Sequence, residues 1–280
     1  QPIGSAKRTT TRDVTGGVTE AVRAALLDAK YNYHLVLENG KLPVSQVNIG
    51  TTHFVNAVIQ KQDLAKVAVI RLCGTASRAL PPFSDFPTEL KQVISGGYHL
   101  VNGGYQYDGK CEITAINPEE ILQCVATLKK EGIDNIVVAG LFSPVNPSQE
   151  IQVREILVKA YPKASVTLSH TVGHNGLLER ENAAVLNESL KPLCHRTIEA
   201  FRIALDNLGL TCPFYLTQND GTLISADQAR QLPVHTFASG PTNSMRGAAR
   251  LSGWRCEDQF PHARCTEHWL GWGINHPAGP

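Results

Sequence analysis

The sequence predicts an α/β fold built on a mostly parallel sheet that is covered by helices. Short apolar segments rich in β-branched residues alternate along the chain with longer segments of helical periodicity. Two of the short segments, 67–72 and 135–142, are almost entirely apolar, with Arg71 and Asn135 as their polar residues. Strands of this kind are typical of a sheet buried on both faces, and their alternation with helices is typical of parallel pairing.

The composition fits a globular protein and excludes several functional classes. Of the 280 residues, 42% are apolar and 18% charged, and 26 Lys and Arg balance 25 Asp and Glu. This balance gives no electrostatic field that would recruit nucleic acid, and no apolar segment approaches the length of a membrane-spanning helix. Seven scattered cysteines, an odd number without a CxxC pair, indicate mostly buried, reduced thiols in the cytoplasm. We expect a small molecule or another subunit as partner.

The elements of the first half follow from apolar spacing and turn residues. The clearest is a helix that Asn117 caps, with Pro118 at its first position, Glu120 reaching back to the cap and an end near Gly132. Helices are also predicted over 13–29, 53–61 and 146–161, and strands over 44–49, 67–72, 135–142 and 166–168, with a hairpin region over 100–113.

The pattern changes at residue 179. Two helices are predicted over 179–190 and 192–208, separated at Pro192, and strands over 213–217 and 234–237 flank a Ser225–Gln228 capping box. We therefore predict three segments, listed here by residue number: 1–178, 179–253 where a second α/β unit begins, and an atypical tail over 254–280 that contains all three tryptophans.

Three segments have the residues expected of ligand-binding loops. Gly50-Thr51-Thr52 with Asn56 lies between a strand and a helix, where an amino-terminal helix end favours an anion such as phosphate. A simple helix cap by either threonine explains the same residues. Ser239-Gly240-Pro241 and Gln218-Asn219-Asp220 also follow predicted strands, and each has an alternative interpretation as an ordinary turn.

Other catalytic motifs are absent from the sequence or weak. It contains no GxSxG, GxxxxGK[ST] or HExxH segment, and no cysteine lies in an activating motif. His170 and His174 are four residues apart, but neighbouring glycines argue against the regular helix that would present both to a metal. We therefore expect no metal site formed by protein residues.

Five segments, in order along the chain, resemble segments of the hydantoinase A and 5-oxoprolinase family. They are the GTT-x-x-x-NA segment at 50–57, the S-x-x-NP-x-x-E segment at 143–150, Ser169-His170 with 178–182, the segment 218–225, and Ser239-Gly240-Pro241. The resemblance extends from about residue 9 to residue 253. Gln149 departs from it, because many members have His there.

The resemblance implies an actin-like ATPase fold of the ribonuclease-H-like kind, incomplete in this chain. It also implies ATP and Mg²⁺ as cofactors, a cyclic amide such as 5-oxoproline or a hydantoin as substrate, and a hydantoinase B-type chain as a possible partner. Gly50, Thr51, Thr52 and Asn56, with Gln218, Asn219 and Asp220, are then expected near substrate or phosphate. Ser239, Gly240 and Pro241 are expected to line the nucleotide cleft.

Two glycine-rich phosphate loops of the family are not found in this sequence. One would precede the first predicted helix, and the other would occupy the position of the 254–280 tail, which we interpret as an out-of-frame or mis-spliced segment. Two alternatives to the hydrolase therefore stay open. One is an inactive fragment or subunit that does not hold ATP, and the other is a small-molecule kinase on the same fold.

Overall fold

A computed structural model describes residues 6–8, 14–33, 44–174, 176–237, 239, 240, 242 and 245. It is a mixed α/β structure, as the sequence predicts, and it divides into two compact units. One unit comprises residues 1–56 and 192–262, and the other is centred on residues 57–191. The Trp-rich tail over 254–280 lies outside the described residues.

The unit centred on 57–191 contains a four-stranded sheet in the order β3-β2-β4-β5. Its strands are β2 (Val67–Leu72), β3 (Ser95–Val101), β4 (Asn135–Gly140) and β5 (Ser165–Leu168), and all neighbouring pairs are parallel. Every residue of β2 is buried, including Arg71, which explains why the segment is almost entirely apolar. The prediction of a buried parallel sheet is therefore confirmed.

Helices and strands of this unit enclose one apolar core. The helices are α3 (Thr88–Ile94), α4 (Pro118–Glu131) and α5 (Ser148–Ala160). Core side chains from β2, β4, α4 and α5 include Ile70, Val138, Leu128 and Leu157, all with no exposed surface. Because the core fixes the strands, the loops after their carboxyl ends start from rigid positions.

The start of α4 confirms the predicted cap but not the predicted capping box. The Asn117 side chain accepts a hydrogen bond from the Glu119 N–H at 3.0 Å, and Gly132 ends the helix in the left-handed conformation. The Glu120 carboxylate instead accepts from the backbone and side-chain amides of Asn102 at 3.1 and 3.2 Å. The two amides of Asn102 have therefore replaced the N–H of the cap residue Asn117, which was the expected donor.

The region over 100–113 is not a hairpin of the expected kind. Strand β3 begins earlier, at Ser95, pairs in parallel with β2 and ends at Val101, so the rest of the predicted region, 102–113, follows it as a loop. A single antiparallel bridge joins Tyr105 to Glu112 within that loop. The prediction missed α3 and placed the strand too late because Gly96 and Gly97 concealed its first residues.

The other unit contains a three-stranded sheet in the order β1-β6-β7. Its strands are β1 (Val47–Ile49), β6 (Phe214–Thr217) and β7 (Leu223–Ser225); β1 and β6 are parallel, and β6 and β7 are antiparallel. The helices here are α1 (Val14–Tyr33) and α7 (Ala226–Gln231), and α2 (His53–Gln60) begins in this unit. The Ser225–Gln228 capping box of α7 is present as predicted.

Two predictions in the second half are wrong. The predicted pair of helices is one helix, α6 (Leu177–Asn207), with Pro192 inside it. Buried side chains on both sides of Pro192, such as Leu190 and Leu193, continue the packed surface and outweigh the lost hydrogen bond. Residues 234–237 form no strand, because a short 3-10 turn over Pro233–Thr236 bends the chain after Pro233.

Compact units and predicted segments divide the chain differently. The predicted junction at 178/179 lies near the start of α6, whereas the compact units divide at 56/57 and at 191/192. The predicted segments thus remain a prediction about sequence organisation. Among the helices of the described residues, none combines the length and apolar character needed to cross a membrane.

Candidate functional site

Two of the predicted loop segments leave the three-stranded sheet at the same edge. Strands β1 and β6 are parallel neighbours in register, with Ile49 opposite Leu216. Gly50-Thr51-Thr52 follows the last residue of β1, and Gln218-Asn219-Asp220 follows the last residue of β6. Carboxyl ends of parallel strands are where open α/β sheets bind ligands, so this edge is a candidate site.

The third predicted segment contacts the first. The Ser239 hydroxyl, which is fully buried, donates to the Thr51 carbonyl at 3.0 Å and lies 3.4 Å from the Thr51 N–H. A Cβ placed on Gly240 would lie 2.8 Å from the Thr52 methyl carbon, so only glycine fits beside Thr52 without a shift. The two segments are therefore in direct contact.

A hydrogen bond from Thr242, which follows Ser239-Gly240-Pro241, reaches the segment Gln218-Asn219-Asp220. The Thr242 hydroxyl donates to the Asn219 carbonyl at 3.0 Å, and the Asn219 N–H donates to the His235 carbonyl at 2.8 Å. All three predicted segments thus meet at the carboxyl edge of β1 and β6. Pro241, the last residue of the third segment, lies outside the described residues.

Several of the predicted side chains hold the local structure. The Thr51 hydroxyl accepts from the His53 N–H at 3.1 Å and caps α2, as the alternative interpretation expected. Asp220 accepts from the Thr222 N–H at 2.8 Å and from its hydroxyl at 2.7 Å, and Gln218 donates to that hydroxyl at 2.8 Å. Asp220 and Gln218 therefore form an Asx-type turn.

The groups left for a ligand are the exposed Thr52 and Asn56 side chains and the amino end of α2. Asn56 is 3.4 Å from the Thr52 hydroxyl, a long contact that a ligand can replace. The Thr217 hydroxyl at the end of β6 is buried and has no hydrogen-bond partner in the described part of the chain. A buried hydroxyl without a partner is rare and marks a place where a ligand or water completes the bonding.

A second polar cluster lies at the carboxyl edge of the four-stranded sheet and is centred on Glu150 of α5. One carboxylate oxygen accepts from the Gly140 N–H at 2.8 Å and from the Ser169 hydroxyl at 2.6 Å. The other accepts from the His170 N–H at 3.2 Å and lies 2.6 Å from His170 Nδ1. The side chain of Glu150 has no exposed surface, whereas that of His170 is 17% exposed.

Glu150 is ionised despite its burial. Burial alone would raise its pKa, but hydrogen bonds from the His170 ring and N–H, the Ser169 hydroxyl and the Gly140 N–H outweigh it, so that the pKa lies below its ordinary value. Four donors around one carboxylate fix its orientation as well as its charge.

Arg180 of α6 holds the outer side of this cluster. Its guanidinium donates to the Ser169 hydroxyl at 2.9 Å and to the Gly140 carbonyl at 2.7 Å. Further bonds reach the carbonyls of His174 at 3.0 Å and Gly176 at 3.2 Å. The guanidinium thus joins the ends of β4 and β5 to the start of α6.

The sequence analysis considered His170 only as a metal ligand and assigned no role to Glu150 or Arg180, although all three lie in the segments that carry the resemblance. The available indication was their position, since Glu150 lies in the first turn of a helix after β4 and His170 follows β5 directly. Gln149 is also accounted for. Its amide accepts from the Gly104 N–H at 2.6 Å and donates to the Thr114 carbonyl at 3.0 Å, so it holds the loop after β3.

Metal ligands were sought at both edges among the residues that the structure describes. In the described ranges, no three His, Cys, Asp or Glu side chains are grouped so that they could hold an ion. His170 uses Nδ1 for Glu150 and lies in a 3-10 turn rather than in a regular helix with His174.

Two family models match most of the sequence. The hydantoinase/oxoprolinase N-terminal region matches residues 1–161, and the hydantoinase/oxoprolinase model matches residues 180–259. An uncharacterized protein of Methanocaldococcus jannaschii is 30% identical over 141 residues, which is 50% of this chain and 21% of that protein. The acetophenone carboxylase gamma subunit of Aromatoleum aromaticum is 30% identical over 143 residues, 49% of this chain and 19% of that subunit.

Two solved structures share the fold. The ATP-dependent caprolactamase from Pseudomonas jessenii has a TM-score of 0.68 at 19% identity, over 90% of this chain and 38% of that chain. A nucleotide-free acetone carboxylase has a TM-score of 0.67 at 20% identity, over 89% of this chain and 37% of that chain. The chain therefore spans about a fifth of its curated relatives and over a third of these structures. It has the actin-like α/β fold, and it belongs to the hydantoinase/oxoprolinase family.

Proposed function

We propose that this chain is part of an enzyme that uses ATP to open a cyclic amide of the 5-oxoproline or hydantoin type. The observation that carries the proposal is the meeting of three loop segments at the carboxyl edge of β1 and β6. Family membership and the ATP-dependent caprolactamase fold support the use of ATP. The name of that structure refers to a lactam, which is a cyclic amide, and this supports a cyclic amide as the substrate here.

The chemistry explains why ATP is needed. An amide is a poor electrophile because its nitrogen donates electrons to the carbonyl group and is a poor leaving group. Phosphoryl transfer to the amide oxygen lowers the barrier for attack by water at the carbonyl carbon. The enzyme then has to bind phosphate, exclude competing water and place the ring, which is mostly positioning and electrostatic stabilisation.

We assign the binding of phosphate groups to the edge that Gly50, Thr51, Thr52 and Ser239 build. The amino end of α2 and the Thr52 hydroxyl present donors, and Gly240 keeps the backbone close to Thr52. The unpartnered Thr217 hydroxyl adds one more group at the end of β6. Asn56 is positioned to give up its long contact with Thr52 for a ligand.

A partner chain is part of the proposal. One relative is named as the gamma subunit of a carboxylase, so that a relative of this chain works within a multi-subunit enzyme. We propose a hydantoinase B-type subunit as the partner here, and the cytoplasm as the compartment. The same observation favours the second candidate, a subunit that folds and binds its partner without holding ATP.

Calorimetric titration of the chain with ATP in the presence of Mg²⁺ separates these candidates. The enzyme predicts saturable binding that requires Mg²⁺ and that weakens in Ser239→Ala. The non-catalytic subunit predicts no heat of ATP binding by the chain, while binding of the partner chain persists. Thr236→Val is the matched control, because Thr236 is similarly buried and, among the described residues, its hydroxyl bonds the nearby Pro233 carbonyl alone.

Product analysis then tests the reaction. Labelled ATP is incubated with the complex and with a panel of lactams and hydantoins, and the products are separated. Ring-opened product and inorganic phosphate in equal amounts support the hydrolase. A stable phosphorylated hydroxyl compound would instead show a small-molecule kinase, and neither product from any ring would reject the proposed substrate class.

A further inference from the structure

We propose that His170 is a catalytic proton-transfer residue and that Glu150 is the positioning residue that holds its ring. The site is the carboxyl edge of the four-stranded sheet. Its ligand is the activated cyclic amide, whose carbonyl carbon is attacked by water. The identity of that substrate rests on the proposed function. The assignment of the proton-transfer pair rests on the geometry of the two side chains.

The carboxylate of Glu150 has no room to accept a hydrogen bond from a further group. Its two oxygens contact four donors, namely Gly140 N–H, Ser169 Oγ, His170 N–H and His170 Nδ1. A buried carboxylate that is saturated in this way does not bind substrate. It accepts the Nδ1 proton of His170 and thereby sets which ring nitrogen carries the proton.

The other ring nitrogen of His170, Nε2, is exposed. His170 is 17% exposed, and within the described residues its Nε2 has no hydrogen-bond partner and is not among the buried atoms that lack one. With the proton held on Nδ1, a neutral ring presents a bare lone pair at Nε2 towards solvent. This is the arrangement of a general base with an orienting carboxylate behind it.

The backbone conformation of Phe142 is an independent indication of function at this edge. Phe142, in the turn directly after β4, has a φ of +55° and is 43% exposed. A bulky side chain in the left-handed region costs about 1–3 kcal/mol, and such strain is found mainly where function requires it. The turn is held by bonds from the Val145 and Asn146 N–H groups to the Phe142 carbonyl, at 3.0 and 3.2 Å.

The proton balance of the step is simple. As the water oxygen bonds to the activated amide carbon, Nε2 takes one proton from that water. The carbon–nitrogen double bond of the activated ring becomes a single bond, and its electron pair goes to the ring nitrogen. The imidazolium, whose charge Glu150 stabilises, then returns its proton to that nitrogen. Water is added across the double bond, and His170 is regenerated. The tetrahedral carbon then collapses: its hydroxyl proton passes through His170 to the ring nitrogen, the carbon–nitrogen bond breaks and the amine leaves. The acyl phosphate that remains is hydrolysed by a second water to a carboxylate and inorganic phosphate.

The decisive measurement is the tautomer of His170, read from the ring nitrogen shifts in an NMR spectrum of the ¹⁵N-labelled chain. The resonance is assigned by its loss in His170→Gln. We expect the proton on Nδ1 in the neutral ring. A proton on Nε2 would overturn the inference, because that nitrogen could then not accept a proton. The measurement requires no substrate.

Turnover in the presence of the partner chain provides the second test. His170→Gln is expected to lower kcat for amide-dependent ATP turnover by about 10²- to 10⁴-fold, as for loss of a general base, with unchanged affinity for Mg-ATP. Glu150→Gln should lower kcat and shift the pH profile. The control His174→Gln should have no effect, since only the His174 carbonyl takes part in the cluster.

Undiminished turnover in His170→Gln would also overturn the inference. If the wild-type complex opens no ring at all, the proposed function fails, and the tautomer alone then decides whether His170 is a proton-transfer residue. A purely structural role of the pair predicts that His170→Gln lowers the unfolding temperature while kcat per folded molecule stays unchanged, which would count against the inference.

Discussion

Ser239 and Thr51, 188 residues apart in sequence, contact each other through the Ser239 hydroxyl, which donates to the Thr51 carbonyl at 3.0 Å and lies 3.4 Å from the Thr51 N–H. Ser239 is fully buried, and its hydroxyl bonds both backbone groups of Thr51. This contact joins the loop after β1 to the segment that follows the 3-10 turn.

Replacing Ser239 should therefore affect both stability and binding. Ser239→Ala leaves the Thr51 carbonyl and N–H without this partner, and we expect a loss of about 0.5–1.5 kcal/mol in the free energy of unfolding. Thr236→Val removes one local hydroxyl bond and keeps the side-chain volume. Urea unfolding monitored by circular dichroism compares the two. Equal stability losses in both variants would contradict a special role for the Ser239 contact.

Gly240 is predicted to tolerate no side chain while Thr52 keeps its methyl group. Gly240→Ala brings a Cβ to 2.8 Å from the Thr52 methyl carbon, and overpacking of this kind costs about 1–3 kcal/mol. Thr52→Ser removes that methyl, so the double variant should recover most of the loss. The free energies of unfolding of the four proteins form a double-mutant cycle, and strict additivity would show that the two residues do not touch.

The buried Glu150 predicts how stability depends on acid. Its pKa in the folded chain is lower than the ordinary value of 4.5, so its contribution is fully present above that pH and is lost as the pH falls through the lower, folded value. Glu150→Gln should unfold more readily at pH 7 and show a flatter loss of stability in acid. Glu155→Gln, an exposed change on the same helix, should behave as wild type.

The cysteines should react with thiol reagents at very different rates. Burial raises the pKa of Cys124 to about 11 and that of Cys194 to about 12, so neither forms much thiolate near neutral pH. Cys111 is exposed. Brief labelling followed by peptide mass spectrometry should find Cys111 modified and the other two unmodified. Early modification of Cys194 would show that α6 is not packed as described.

Local features of the fold were predictable from the sequence. The Asn117 cap and the Ser225–Gln228 capping box each depend on residues within one turn of helix, so their pattern is complete in the sequence. The Glu120 bond to Asn102 was not predictable, because its donors are 18 residues away. The continuation of α6 through Pro192 also depends on packing that no local rule contains.

Some parts of the candidate site could also be predicted from the sequence, and others could not. The loop after β1 could be found from Gly50-Thr51-Thr52 because strand, glycine and helix follow each other directly. Its contact with Ser239 required the fold, and so did the saturation of Glu150 by donors from two different strand ends. The residue types of Glu150 and His170 were visible, but their charge and tautomer depend on neighbours that only folding supplies.

The central claim is that the carboxyl edge of β1 and β6 binds the phosphate groups of ATP, and calorimetry of Mg-ATP with wild type, Ser239→Ala and Thr236→Val tests it most directly. The account predicts Mg²⁺-dependent binding by wild type and by Thr236→Val, and at least tenfold weaker binding by Ser239→Ala, equivalent to a loss of about 1.4 kcal/mol. Equal affinity in all three proteins, or no binding by wild type, would contradict it.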